Sequence, residues 1–362
     1  MRRVVKVSRI RIIITIIVVV LTTLLTGCTG KEPNEIAYVV ALGIDSTDDD
    51  NYKITIQYAN TTQISGGASE SGGKAGSEIV DNVTIEAPNI YAGVGLANNI
   101  VSKSFSMSHA KLIVFSKEIA EKGVKDMIET LVRSEEIRPD VFIAVANTTA
   151  NDYLTSVNPE MEVNPAQYYQ LIYQKNQLVG IPDGQLREFF TGLYTDNYDS
   201  ILPVAGVIEG SGGNSQNDDK GQSKDSQNEG SEGSSESLDS FESKSSNENE
   251  KEKDAEKNTS KYEYDIKNYV GGETTIEKKN KAEAIGAAVF EKDKMVGELG
   301  EVETEICKIL KGDYTYSYLT YYNNDTPDIP ITVKTTQQKK PKYKIDTDKK
   351  TVDIELYIES DL

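Results

Sequence analysis

The chain has 362 residues, with 58 Asp and Glu against 39 Lys and Arg and a net charge of −19 at neutral pH. So acidic a chain has no electrostatic route to nucleic acid and is repelled by anionic lipid headgroups. Its length predicts about two domains, and two cysteines and one histidine leave little raw material for disulfide or multi-histidine metal chemistry.

The first element is an export signal. Arg2, Arg3, Lys6, Arg9 and Arg11 form a positive flank, and an uncharged apolar stretch follows from Ile12 to Leu25. As a helix that stretch is about 21 Å long, short of the ~30 Å hydrocarbon core, which fits a signal-peptide core better than a permanent anchor. Leu25-Thr26-Gly27-Cys28 ends it, small residues leading to a cysteine, and resembles the bacterial lipobox, in which the thiol is diacylglycerated and the peptide is cut just before it. Cys28 is therefore the expected lipidation site, with 1–27 as signal peptide. Two acyl chains on one residue give stable anchoring where one is marginal. Cleavage leaves 34 Lys and Arg against 58 Asp and Glu, a net of −24, so the lipid rather than any basic patch is the expected attachment. With Cys28 lipidated, Cys307 has no partner, and its helical setting beside Ile306 predicts a small buried apolar residue.

Glu35–Asp45 reads as a buried strand, 46–51 as a polar turn, and Tyr52–Tyr58 as an alternating strand completing a hairpin. A Gly/Ser loop at 61–76 leads to a third strand, Val80–Glu86. After Pro88 the period changes: Ile90, Val94, Ala97 and Val101 share a helical face. Then come a strand at His109–Phe115, one amphipathic helix over Lys117–Arg133, a strand at Asp140–Ala146, a short helix at Thr149–Val157, and helices at Pro165–Gln177 (with a tyrosine-rich face) and Asp183–Leu193. This order predicts an α+β fold: a mixed sheet with packed helices in an N-terminal domain, 28–198, followed by a second, mostly β domain with one helix, 199–362.

The second domain opens with a strand at Ile201–Glu209. Residues 210–260 are different in kind, with 13 acids, 6 lysines and only Leu238, Phe241 and Ala255 apolar. Such a segment buries too little surface to offset its ordering entropy, so a disordered acidic insertion is expected. Loop-closure entropy grows only logarithmically, so strands 201–209 and 284–291 can still pair directly around it. A turn at 292–294 leads into Met295–Gly297. A helix from Gly300 to Lys311 is expected to turn Val302, Ile306, Ile309 and Leu310 to one side. Strands follow at Tyr314–Tyr322, Ile329–Thr336, Tyr343–Asp346 and Val352–Ile358.

Catalytic and cofactor signatures are missing. His109 is the only histidine, so no Ser-His-Asp or multi-histidine constellation is legible, and beside Leu112-Ile113-Val114 it reads as structural. Gly93-Val94-Gly95 lacks the third glycine of a dinucleotide loop, and 72–77 has phosphate-loop letters in the wrong order. Asp45–Asp50 lacks the glycine and terminal glutamate of a calcium loop and reads as a hairpin turn. No enzyme, cofactor or metal site is expected.

One resemblance ties these elements together. The lipobox, Asn34-Glu35-Ile36-Ala37 running into Ala41-Leu42-Gly43-Ile44-Asp45, and Tyr52-Lys53-Ile54-Thr55 resemble the Ger(x)C family of spore germination lipoproteins. Further along, Ser108-His109-Ala110-Lys111 resembles the family's Ser-His-x-Lys segment and Arg133-Ser134-Glu135-Glu136-Ile137-Arg138 its Arg-x-x-Glu-x-Arg turn. Leu186–Phe190, Leu202-Pro203, Gly286–Phe290, Met295–Gly297 and Glu303-Thr304 also fit, so the likeness runs from residue 25 to about 358. The Trp-Asp pair common after the family's lipid cysteine is absent, and the family's third domain is expected to be missing.

The resemblance implies the C subunit of a nutrient germinant receptor of endospore-forming bacteria. Such a subunit is non-enzymatic and sits on the outer face of the cytoplasmic (inner spore) membrane beside integral-membrane A and B subunits, acting in assembly or signalling. The rival reading is a solute-binding lipoprotein of a membrane transporter. That class shows two similar α/β lobes around a cleft, and the halves here are dissimilar.

Overall fold

The computed structural model describes residues 11–20, 35–59, 80–157, 162, 164–174, 180–208, 268–274, 280–323 and 326–361. Cys28, most of the expected signal peptide and the expected insertion 210–260 lie outside these residues. Residues 11–20, in the apolar part of the expected signal, are helical. Among the described residues no helix is long and apolar enough to cross a membrane.

A large mixed sheet organises the protein. Its strands are β1 (Ile36–Ser46), β2 (Tyr52–Ala59), β3 (Val80–Ala87), β4 (Ser104–Ser106), β5 (Leu112–Ser116), β6 (Phe142–Ala146), β7 (Ile201–Val207), β8 (Ala282–Glu291) and β9 (Lys294–Leu299), in the order β3-β2-β1-β5-β6-β7-β8-β9 with β4 also on β1. The centre is parallel: Ala41 lies opposite Leu112, Leu112 opposite Phe142, and Val145 opposite Val204. Antiparallel pairs flank it, β2 and β3 on one side, β8 and β9 on the other. Parallel strands covered on both faces read as unbroken apolar runs, and Leu112-Ile113-Val114-Phe115 and Phe142-Ile143-Ala144-Val145-Ala146 are buried at every position. Alternate side chains supply two cores: Ile113, Phe115, Ile143 and Val145 point to one face, Leu112, Val114, Phe142 and Ala144 to the other.

Helices α1 (Ile90–Ala97), α2 (Lys117–Lys122), α3 (Lys125–Val132) and α6 (Leu186–Leu193) cover the first face. Gly93 in α1 is there because a Cβ would come within 2.6 Å of Ile54 Cδ1. The single helix expected over 117–133 is two, because Gly123 turns to φ 122°, a conformation that a side chain resists. Helices α4 (Ala150–Ser156) and α5 (Pro165–Gln174) cover the second face. Here the tyrosine-rich side of α5 is buried: Tyr169 donates to Gln57 Oε1 at 2.5 Å, the Tyr173 and Tyr153 hydroxyls lie 3.0 Å apart, and Asn280 donates to Tyr168 at 2.8 Å. Asp45, at the end of β1, accepts from the backbone N–H groups of Ala150 and Asn151 at 2.6 and 3.0 Å and so fixes the start of α4.

The expected pairing of Ile201–Glu209 with Ala284–Glu291 is observed, Ile201 facing Val289 and Val207 facing Ala282. Strands β7, β8 and β9 extend the same sheet as β1–β6, so the expected boundary at 198/199 falls inside a continuous sheet.

Helix α7 (Glu301–Lys311) follows, and then a three-stranded sheet in the order β10 (Tyr316–Asn323), β11 (Thr326–Asp346), β12 (Thr351–Asp361). Ile329–Thr336 and Tyr343–Asp346, expected as separate strands, are one strand interrupted by register shifts around Lys339, beside Pro341, which lacks the N–H a regular ladder needs. In α7 the buried face differs from the expected one. Thr304, Glu305, Lys308 and Ile309 are buried, and Ile306 is 51 % exposed. Polar partners explain it: Lys308 donates to the Ile181 carbonyl at 3.1 Å, and Tyr314 donates to Glu305 at 3.1 Å.

By contacts the described residues divide into two units, the second of them 320–332. In the second, the hydroxyls of Thr320 and Thr332 lie 2.9 Å apart.

Candidate functional surface

The two motif segments, 108–111 and 133–138, meet in space. Residues 107–111 form the turn between β4 and β5, tied down by Ala110 N donating to Met107 O at 3.0 Å and Lys111 N to Val40 O at 2.9 Å. The second segment follows α3 and turns on Ser134, whose hydroxyl accepts from the N–H groups of Glu136 and Ile137, both at 3.2 Å. Glu136 then reaches across and accepts from Met107 N at 2.6 Å, a charge-assisted bond that holds one motif against the other. The outer arginines of the turn serve local pairs, Arg133 with Glu129 at 2.7 Å and Arg138 with Asp140 at 3.0 Å. The Asp140 carboxyl is held below its ordinary range by the Arg138 guanidinium.

His109 lies in this turn rather than in the strand and is exposed, its ring edge-on to Tyr38 at 4.8 Å. Its Nδ1 is 3.0 Å from Ser108 Oγ, which is 2.9 Å from Ser106 Oγ. A serine–histidine contact is half of a nucleophile and its base. Among the described residues, however, no carboxylate hydrogen-bonds the ring, and the pair consists of sequence neighbours on an open turn. The arrangement fixes the shape of the turn.

Beside the joined motifs runs an open groove of about 630 Å³, lined by Tyr91, Gly95, Phe105, Met107, Arg133 and Glu136 among others. Tyr91, Val94 and Gly95 of α1 form part of its wall; α1 is apolar on every side, Ile90, Val94 and Ala97 entering the core while, away from the groove, Leu96 is 47 % exposed and Ile100, just beyond, 67 %. A helix apolar all round is normally buried all round, so this outward face is of the kind that marks an interaction surface. The sequence pattern found the inner face of α1 and gave no sign that the outer face stayed open.

Cys28 lies outside the described residues. Cys307 is half-buried on α7. Among the described residues no group of three or more His, Cys, Asp or Glu side chains is placed to hold a metal ion.

Residues 30–207 match a family model described as the spore germination protein N-terminal domain, and residues 285–362 one described as spore germination B3/GerAC like, C-terminal. Among curated proteins, spore germination protein KC of Bacillus subtilis (strain 168) is 26 % identical over 174 residues, covering 44 % of this chain and 42 % of its own length. Spore germination protein B3 of the same organism is 26 % identical over 148 residues, covering 38 % and 36 %. The chain thus matches less than half the length of these relatives. Among solved structures, the crystal structure of the GerBC protein aligns over 84 % of this chain and 64 % of its own, at 16 % identity and a TM-score of 0.34.

Proposed function

The chain belongs to the Ger(x)C family of spore germination proteins, and from that premise we propose that it is the lipid-anchored C subunit of a nutrient germinant receptor, acting by contact rather than by catalysis. In this reading Cys28 carries the lipid, the folded chain sits on the outer face of the cytoplasmic (inner spore) membrane, and its partners are the integral-membrane A and B subunits.

The observation that carries the contact role is the bond from Met107 N to Glu136. It joins the two motif segments beside the groove whose wall includes Tyr91, Val94 and Gly95 of α1. A binding surface needs that shape fixed, and a hydrogen-bonded carboxylate fixes it. Nothing in the Ser108–His109 turn adds the orienting group and oxyanion donors that acyl transfer requires.

Purification of the tagged chain from membranes in mild detergent tests the reading. The unaltered chain should carry metabolically incorporated palmitate and bring the A and B subunits with it. Cys28→Ala should lose the label, and Leu96→Ser with Ile100→Ser should keep the label but lose the subunits. Palmitate retained in Cys28→Ala would overturn the anchor, and full recovery of both subunits by the Leu96/Ile100 variant would overturn the surface. Turnover of a substrate that His109→Gln abolishes would overturn the non-enzymatic role.

A further inference from the structure

The end of the large sheet nearest residue 28 in the sequence carries a surface of its own. There β1 begins at Ile36 and pairs in parallel with β4, Ile36 opposite Ser104 and Tyr38 opposite Ser106. Both strands start at the same end of the fold, so the turn entering β4, residues 98–103, lies beside the start of β1. That turn is closed by its own hydrogen bonds: Ile100 N and Val101 N donate to the Ala97 carbonyl at 3.0 and 3.1 Å, and Asn98 Oδ1 accepts from Phe105 N at 2.7 Å. It prolongs the last turn of α1. Leu96 and Ile100, four positions apart and both exposed, therefore share one outward face.

Its charge pattern is unlike that of the rest of the chain. No Asp or Glu occurs in residues 87–117, a run of 31 in a sequence with 58 acids among 362 residues. Burial accounts for the run in β5, where every position is buried. It does not account for Leu96, Asn98, Asn99, Ile100 and Ser102, which are all exposed. The one charged residue of the turn, Lys103, stands next to Glu35 by the register of β1 and β4, so the two together add no net charge. The other end of β1 is the reverse, with Asp48, Asp49 and Asp50 exposed in the turn that follows it. Between Ile36 and Ser46 the strand rises about 3.3 Å per residue, which separates its two ends by about 33 Å.

We propose that the turn at 98–103 seats on the lipid bilayer, with Leu96 and Ile100 entering the headgroup boundary, and so sets which end of the folded chain faces the membrane. The inference rests on the reading of Cys28 as the lipid anchor. The eight steps of chain from Cys28 to Ile36 span at most about 29 Å. That is less than the length of β1, so the tether keeps the start of the strand near the membrane and the triple-aspartate turn away from it. A headgroup boundary accepts an exposed apolar pair free of acids and repels a cluster of carboxylates. The lipid supplies the attachment, and the pair supplies the orientation. Seated in this way, the chain keeps the groove with Arg133 and Glu136 for protein contact, and loss of Leu96 and Ile100 lowers subunit recovery by unseating it.

The test places the chain purified from membranes, its intact mass reporting the lipid, in phosphatidylcholine vesicles without the A and B subunits. In a Cys307→Ser background a polarity-sensitive fluorophore is attached at Ser102→Cys, Asp49→Cys or Leu356→Cys, three exposed positions, and part of the vesicle lipid carries a spin label just below the headgroup. The fluorophore at 102 should shift to shorter wavelength and lose emission to the spin label, and those at 49 and 356 should do neither. Leu96→Ser with Ile100→Ser should return the fluorophore at 102 to its aqueous emission, with an unchanged melting temperature to show that the variant folds. Aqueous emission at 102 on the vesicle-bound chain, quenching at 49 or 356 instead, or quenching at 102 that survives the double substitution would each overturn the proposal. So would shielding of 102 that needs the A and B subunits, since the turn would then be a protein contact. A mass without lipid would overturn the anchor reading and this orientation with it. Because the mass is read before any vesicle is added, that failure is distinguishable from a lipidated chain that sits the other way round.

Discussion

The two sheets differ in pattern and in fate: the central strands of the large sheet are unbroken apolar runs, whereas β12 alternates apolar and polar residues. In the large sheet β1, β5 and β6 are covered on both faces, and Leu42, Ile113, Phe115 and Ile143 are wholly buried. In the small one, β12 lies at the edge, and Val352, Ile354, Leu356 and Ile358, all on one face, are each 40–55 % exposed. On β11 their neighbours Ile345 and Tyr343 are exposed too. The period-two pattern of β12 specifies a strand and its sidedness, and whether that side is dry depends on what else packs there. The large sheet has α1–α6 to pack on it. On β12, charge protects the edge: Lys342 of β11 pairs with Glu355 at 3.7 Å, and Asp353, Glu355 and Glu359 alternate with the apolar row, which discourages pairing with a second copy through like-charge contacts.

Three substitutions grade that contrast. Phe115→Ala, in the covered sheet, should cost about 3–5 kcal/mol in denaturant unfolding, since it leaves a cavity in the first core. Asp45→Ala should cost about 1–3 kcal/mol, because it strands the N–H groups of Ala150 and Asn151 at the start of α4. Leu356→Ala should cost about 1 kcal/mol or less, its side chain being already half in water, while lowering light scattering by the purified chain. If Leu356→Ala rivalled Phe115→Ala, the β12 face would be covered in solution and the contrast would fail.

Much of this architecture was legible in the residues. Strand and helix identities follow from the two periods, and the β7–β8 pairing follows from the polymer physics of an insertion that adds little closure entropy. The order of strands was not legible, because parallel neighbours such as β1 and β5 are set by packing and leave no turn between them to read. The α7 error is the most instructive. Apolar residues at 302, 306, 309 and 310 suggested one face, yet Glu305 and Lys308 are buried because Tyr314 and the Ile181 carbonyl satisfy them. Partners that far away in sequence do not register in a local pattern. The same limit hid the motif surface: each segment was visible, but the Glu136–Met107 bond that joins them belongs to the fold.

The placement of β1 also fixes a timetable. Among the described residues it is the first strand in the sequence, and it lies inside the sheet. Strand β2 can join it at once as a hairpin, but along Ala41–Ile44 its other side stays unpaired until Leu112 and its neighbours are available. That pairing joins residues 71 positions apart, a long loop to close before the contact forms. Strands β6, β7 and β8 must then add outward in turn. Throughout that time Val39, Val40 and Leu42 form an open apolar ladder, so it is during assembly, rather than in the finished molecule, that the large sheet is the more vulnerable of the two.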